Sequence, residues 1–347
     1  MTTPSGQISA SDIRNEFGET GSNGQVSLGS YRVKENRGEL TLGVGDGIQQ
    51  NNAVTDSIDY NMMRNKKLNI VVDYYADNAN LNRAANGDNT MNAKTRYNDQ
   101  NERVKVIGGL RSKPSNTNGH RVRIHVNQNL GGKSGEINTV ALRTGGWNTG
   151  TDLIVDVGGE GAIYGGGGAG GQGGDVDTSG HAGEDGASAL GIDYNGTTVN
   201  VASGGLIRCG FGGGGGGGAG RQNDKGSERT VGGGGGGGGQ GYPGGAGGSE
   251  GNADHGQGPG SAGDISEAGE GGGGGNNGNQ AYSGAGGEGG GQGEAADAGA
   301  GGNHGSGAGG GQGSAIRRGT YPDGTAFAVT INNNGSIVGN TDQTGVN

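Results

Sequence analysis

The sequence carries uninterrupted glycine runs, the longest being Gly212–Gly218 and Gly232–Gly239, with others at 165–168, 271–275, 284–291 and 307–313, the last two interrupted by single residues. A backbone without Cβ atoms has no side chain to bury and loses more conformational freedom on ordering than any other. Of the 347 residues, 93 are Gly, where ordinary proteins carry roughly 7%. Apolar residues make up only 27% and aromatics 4%, so side-chain burial alone cannot hold the C-terminal half together. An ordinary globular enzyme is excluded over much of the length.

Three structures accommodate glycine at this density. A flexible linker is the simplest, but it needs neither repeated runs of similar length nor a β-like ending. Collagen demands Gly at every third position with abundant Pro, whereas this chain has 5 Pro and continuous Gly. The third is a bundle of polyglycine II helices, of polyproline II geometry with three residues per turn and a rise of roughly 3.1 Å. Neighbouring backbones then approach closely enough for N–H groups to bond carbonyls of adjacent helices, with Cα–H···O contacts added. Main-chain pairing replaces the core, and loops at the helix ends are free to vary.

The regions flanking the glycine read differently. Near the start, Ser9 and Asp12 form a capping-box pattern, Ile8 and Ile13 sit where a hydrophobic staple would join them, and Gly18 supplies a stop. Ile13 and Phe17 share a face too small to fold alone, so Ile8, Ile13 and Phe17 are expected to dock on another body. From Leu68 to Val157 a period of two takes over, in Leu68–Tyr75, Arg103–Ile107, Arg121–Val126, Ile137–Leu142 and Leu153–Val157. That alternation predicts a small antiparallel β domain, read as a sandwich. Residues 78–101 are a polar excursion whose Arg83, Arg96 and Tyr97 are expected to face solvent. At the end, Thr325–Ile331 and Gly335–Gly339 around Asn332–Gly335 predict a closing hairpin. The expected fold is mainly β plus polyglycine II. Residues 1–50 form an attachment segment, 51–157 the antiparallel β domain, and 158–347 the glycine module with variable end loops.

The net charge of −10, from 34 acidic and 24 basic residues, argues against nucleic acid or an anionic bilayer as partner. The one cysteine, Cys209, permits no intramolecular disulfide and no Cys-based zinc site. Apolar stretches such as Leu68–Val72 are too short to span a membrane, and Met1–Gly6 lacks the character of a signal peptide. A soluble protein, made in a cytoplasm and never inserted in a membrane, is expected. Asn127–Ser134 grazes the phosphate-binding loop pattern but starts on Asn and runs into a strand-like segment. The histidines at 120, 125, 181, 255 and 304 show no metal-ligand spacing, and acids such as Asp185, Glu267 and Glu294 are scattered on expected loops. No catalytic site, metal or cofactor is expected.

Binding is better served, because Tyr and Arg concentrate interaction energy. If successive runs alternate in direction, loops around 177–186, 219–231, 276–283 and 315–325 share one end, and those around 242–270 and 292–306 the other. The first set carries Arg221, Lys225, Arg229, Tyr282, Arg317, Arg318 and Tyr321; the second carries Tyr242, His255 and His304. The chain leaves the β domain at Val157, so its first return, and hence the first set, is expected to be distal.

The strings Phe211–Gly218, Gly232–Gly248 and Thr330–Ile337 resemble glycine-rich tail-fibre adhesins of T-even-like phages and related proteins of marine myophages. Ile8–Gly18 with Val26–Tyr31, and Val106–Pro114 with Ala141–Asn148, are similar to segments of virion proteins of such phages. The resemblance implies a virion protein whose N-terminal part joins other tail or fibre proteins. Its glycine module would present loops to a host outer-surface receptor, an outer-membrane protein or lipopolysaccharide. A rigid virion spacer is the rival, and an ice-binding face a more distant one.

Overall fold

The computed structural model describes residues 7–12, 69–74, 91–92, 104–107, 117–119, 121–132, 139–224, 227–253, 257–274 and 282–346. Residues 10–12 begin a helix. Asp12 Oδ2 accepts from the Ser9 amide at 2.8 Å and the Ser9 hydroxyl at 2.7 Å, while Ser9 Oγ accepts from the Asp12 amide at 3.2 Å. The capping pair read from the sequence is therefore formed. These bonds from Ser9 hold the Asp12 carboxyl below its usual range. Ile13 and Phe17 lie outside the described residues.

The strands up to the first long glycine run are β1 (Asn69–Tyr74), β2 (Met91–Asn92), β3 (Val104–Ile107), β4 (Arg121–Val126), β5 (Asn129–Gly131), β6 (Val140–Arg143), β7 (Asp152–Val157) and β8 (Ala162–Tyr164). They continue as β9 (Ser188–Ile192), β10 (Thr197–Val201), β11 (Leu206–Arg208), β12 (Gly220–Asp224), β13 (Ser227–Val231), β14 (Ile316–Arg318), β15 (Val329–Asn333), β16 (Ser336–Val338) and β17 (Gln343–Thr344). Three sheets have the orders β15-β10-β7-β4-β1-β3, β16-β11-β8-β5 and β17-β14-β9-β6-β2. Along the chain each sheet in turn takes one strand, so β4-β5-β6, β7-β8-β9, β10-β11-β14 and β15-β16-β17 are successive coils of a three-sided parallel solenoid.

The antiparallel domain expected from the alternation is thus corrected. Pairing within the three sheets is parallel except where β3 lies antiparallel to β1. Alternation reports only that one strand face is buried, and that period is the same in both kinds of ladder. The closing hairpin is corrected too: β15 pairs in parallel with β10 and β16 with β11, in different sheets. Asn334 and Gly335 make the corner between them, the Asn334 amide bonding the Val201 carbonyl at 2.8 Å. Strands from both sides of residue 157 lie side by side in every sheet, so the expected boundary there falls inside a continuous body.

The solenoid is held by in-register apolar stacks. Val72, Ile124, Val155, Val199 and Ile331 align across the first sheet, Leu130, Ile163, Ile207 and Ile337 across the second, and Leu142, Leu190 and Ile316 across the third. All but the last-coil members Ile331 and Ile337 are fully buried. Outside the first sheet runs a polar row in the same register: His125, Asp156, Asn200 and Asn332. Asn332 Nδ2 donates to Asn200 Oδ1 and Asn200 Nδ2 to Asp156 Oδ1, each at 2.8 Å. Asp156 Oδ2 also accepts from Arg123 Nε at 2.7 Å and lies 3.3 Å from His125 Nε2. Burial raises the Asp156 pKa, but the bonds from His125, Arg123 and Asn200 outweigh it and leave the carboxyl far below the usual range.

The glycine runs leave the solenoid between the second and third sheets, in the second coil after β8 and in the third after β11. They pair with a period of three. Gly165, Gly168, Gly171 and Gly174 donate to carbonyls of Arg208, Phe211, Gly214 and Gly217, each at 2.8 Å. Gly167, Gly170 and Gly173 donate to Pro243, Ala246 and Ser249 of another run at 2.8–2.9 Å. The carbonyls of Gly166, Ala169 and Gln172 accept from Ala187, Glu184 and His181 of a third. Run 208–218 donates to runs 180–187, 232–241 and 294–302, and accepts from runs 165–174, 284–291 and 304–313. It is enclosed on all sides, and so is 232–241; these two contain the longest uninterrupted glycine. Outer runs tolerate side chains at every third position, as with the exposed Pro243, Ala246 and Ser249.

A Cβ on Gly216 would overlap the Gln172 carbonyl group, whereas one on Gly146 meets nothing within 4 Å. Gly216→Ala is expected to cost at least about 1–3 kcal/mol, the scale of overpacking, and to lower the thermal unfolding midpoint; Gly146→Ala leaves it unchanged. Circular dichroism of the two variants checks this. Because the Asp156 pKa is depressed by folding, its contribution is complete above the unfolded carboxyl value of about 3.9 and fades as pH falls below that. Urea titrations across pH should find the wild type's advantage over Asp156→Asn largest near neutrality and shrinking below about pH 4.

Candidate functional site

Strict alternation of the runs decides which turns meet. Runs 165–174 and 208–218 are parallel to one another, and 180–187 and 232–241 run the opposite way. The described residues 175–179, 219–224, 227–232, 252–253, 257, 274, 282–283 and 302–304 therefore share the end far from the solenoid, and the turns near 241–243, 264–267 and 291–294 the end against it.

At the far end the contacts converge on Asp177. Its carboxylate pairs with the Arg221 guanidinium and lies 3.5 Å from His304 Nε2. Asp177 has a positive φ of 60°, a backbone conformation that Asp adopts more readily than most residues with a side chain. The Arg221 amide bonds Asn303 Oδ1 at 3.2 Å, the His304 amide bonds the Ala219 carbonyl at 3.1 Å, and Asn252 N bonds Asp175 Oδ1 at 2.6 Å. Tyr282 (55% exposed) and Val176 (36%) stand at this end as large apolar side chains in water. β12 and β13 pair as an antiparallel hairpin that begins beside them. Among the described residues the tip thus presents a charge cluster, two exposed apolar groups and a hairpin, with main-chain bonds between the runs beneath.

The near end is a seat. Tyr242 packs edge-on against Tyr164 with centroids 5.6 Å apart, and its carbonyl accepts from Gly132 at 2.9 Å. Arg208 lies 4.9 Å over the Tyr164 ring and donates to the Ile265 carbonyl. Its burial lowers its pKa, a shift that nearby Tyr164, Cys209 and Asp264 oppose. Gln240 joins two turns, donating to Ile265 O at 3.2 Å and accepting from Gln292 N at 2.9 Å.

The residues singled out in the sequence separate accordingly. Arg221 and Tyr282 share the tip, as expected, and His304 joins them although it was assigned to the opposite end. Arg229 has its backbone in β13, while Lys225 and His255 lie outside the described residues. Tyr242 is in the seat. Arg317 and Arg318 belong to the solenoid: Arg317 is 5% exposed and bonds Ser188 Oγ and the Thr344 carbonyl, and Arg318 bonds the Thr341 carbonyl and Asp342. Tyr321 lies on the corner after β14, edge-on to Phe327 at 5.0 Å. The parity slipped because outer runs such as 243–251 and 294–302, interrupted by Ala, Ser and Asp, read as loops. Asp177 and Asn303 were missed as site residues, since nothing local marks a polar loop residue as the centre of a cluster.

A stem of paired backbones ending in exposed, side-chain-bearing turns defines a loop-presenting protein. Residues 69–342 match the family of the phage tail fibre adhesin Gp38, and the chain belongs to that family. It is also similar to a chain in the crystal structure of the gp37-gp38 adhesin tip complex of the bacteriophage S16 long tail fiber. Identity there is 16% over 96% of this chain and 97% of that one, with a TM-score of 0.32. No curated protein sequence matches significantly. No helix among the described residues is long and apolar enough to cross a membrane.

The half-exposed Asp177–Arg221 pair should contribute less than about 1 kcal/mol. Asp177→Asn, which removes the charge but keeps a residue suited to the positive φ, is expected to leave the unfolding midpoint unchanged while speeding amide hydrogen exchange at residues 219–221 and 302–304, and not at 212–217.

Proposed function

We propose that the chain is the host-recognising tip of a tail fibre, in which a bundle of polyglycine II helices holds variable turns against a receptor on the host surface. The observation that carries the reading is the period of three in the hydrogen bonds between runs, the signature of three residues per turn. Such a scaffold is bonded through its backbone, so the turns at its end can change without disturbing what supports them. Tyr282, Val176, Arg221 and His304 supply the aromatic, apolar and cationic groups that suit an outer-membrane protein loop or lipopolysaccharide. The solenoid and the segment around Ile8 face the rest of the virion, where another tail-fibre protein is the partner. The action is binding without catalysis.

Phages carrying Tyr282→Ala, or a tip in which residues 220–231 are exchanged for a Gly-Ser turn, are expected to assemble in normal numbers and adsorb at least tenfold more slowly. Adsorption at the wild-type rate would instead make the glycine bundle a spacer.

A further inference from the structure

The polar row outside the first sheet borders a feature that the tip does not use. The residues that follow that sheet in successive coils are Asn127, Gly158, Ala202 and Asn334. Side chains are absent or minimal in the two middle coils and end in amides in the outer two. The result is a cleft of about 360 Å³ along the solenoid flank, with Asn127 and Asn334 at its ends and Arg123, Asp156, Asn200 and Asn332 in its wall. Three inter-strand steps make it about 14 Å long, and its volume falls at the small end of the range for ligand sites.

We propose that this cleft is a second binding site, for a short neutral oligosaccharide lying along the solenoid axis. The wall dictates the class. The charges of Arg123 and Asp156 are spent on each other, with His125 Nε2 also facing the carboxylate at 3.3 Å, so neither charge is left to select an ionic ligand. Asn200 donates one N–H to Asp156 and accepts one bond from Asn332, leaving a second N–H and a second lone pair. Asn332 likewise keeps its carbonyl oxygen. Hydroxyl groups, which donate and accept at once, match such amides better than groups that only do one. The one ring in the lining is the His125 imidazole, whose Nε2 faces Asp156, and no Phe, Tyr or Trp offers a nucleobase a broader face to stack on. The in-register ladder repeats its polar groups about every 4.8 Å along the axis, as a chain of sugar rings repeats its hydroxyls. The ladder also fixes the amides before a ligand arrives, which reduces the entropy lost on binding.

The test is the full chain on an immobilised panel of neutral and acidic bacterial-surface oligosaccharides, with Ala202→Arg to fill the exposed corner, Asn332→Ala to remove one amide, and Tyr282→Ala as a tip control. At least one neutral glycan should be retained, with Kd raised tenfold or more by Ala202→Arg, threefold or more by Asn332→Ala and not at all by Tyr282→Ala. Retention of no glycan or of acidic glycans alone, binding that survives both flank variants, or loss with Tyr282→Ala would each overturn the proposal. Unfolding midpoints establish that the variants fold; if Ala202→Arg does not, Asn332→Ala decides. Neither result bears on adsorption through the tip.

Discussion

Everything above the solenoid depends on one interaction, the hydrogen bond from a backbone N–H to the carbonyl of a neighbouring run. In a strand these bonds lie in one plane; here donors on successive residues turn to different neighbours, so each enclosed run is bonded to six others. That closeness is possible only where no Cβ intervenes, as at Gly213, whose added carbon would overlap Ala169. The entropy that glycine loses on ordering is offset by pairing in three directions rather than by burial of apolar side chains. Runs that face water carry side chains there, as at the exposed Ala246 and Ser249, whereas the buried Phe211 and Gln240 of the enclosed runs sit at the end against the solenoid.

The bundle does not stand by itself. Its runs begin and end in the solenoid, whose stacked Val, Ile and Leu rungs supply the conventional core. The Tyr164–Tyr242 contact and buried Arg208 fix the turn between two runs on top of the coil beneath. Since the chain leaves and re-enters on the same side of the solenoid, the number of reversals is constrained, and the reversals sort every turn into seat or tip. A surface built this way inherits its rigidity from the backbone and its chemistry from a few turn residues.

Much of the strand content was legible. Arg121–Val126 and Leu153–Val157 alternate cleanly and are strands; the Ser9–Asp12 pair is a cap. The strands at Ser188–Ile192, Leu206–Arg208 and Ile316–Arg318 were not, because each is short and sits among glycine. Arg317 and Arg318 looked like loop cations and proved to be solenoid residues with satisfied guanidinium groups. Of the tip, Arg221 and Tyr282 were foreseen. Asp177, which joins Arg221 to His304, was not, since their proximity arises from runs far apart in sequence.

The sequence by itself determined that a glycine-paired body would sit beside a β body, because residues without side chains can be ordered only by their backbone and alternating apolar residues only by a sheet. What tertiary structure alone decided was the sense of pairing in the sheets, the closing of β14, β15 and β16 onto strands over a hundred residues earlier, and the assortment of turns between the two ends. Alternation has the same period in parallel and antiparallel ladders, and the end at which a turn emerges depends on the count of every run before it.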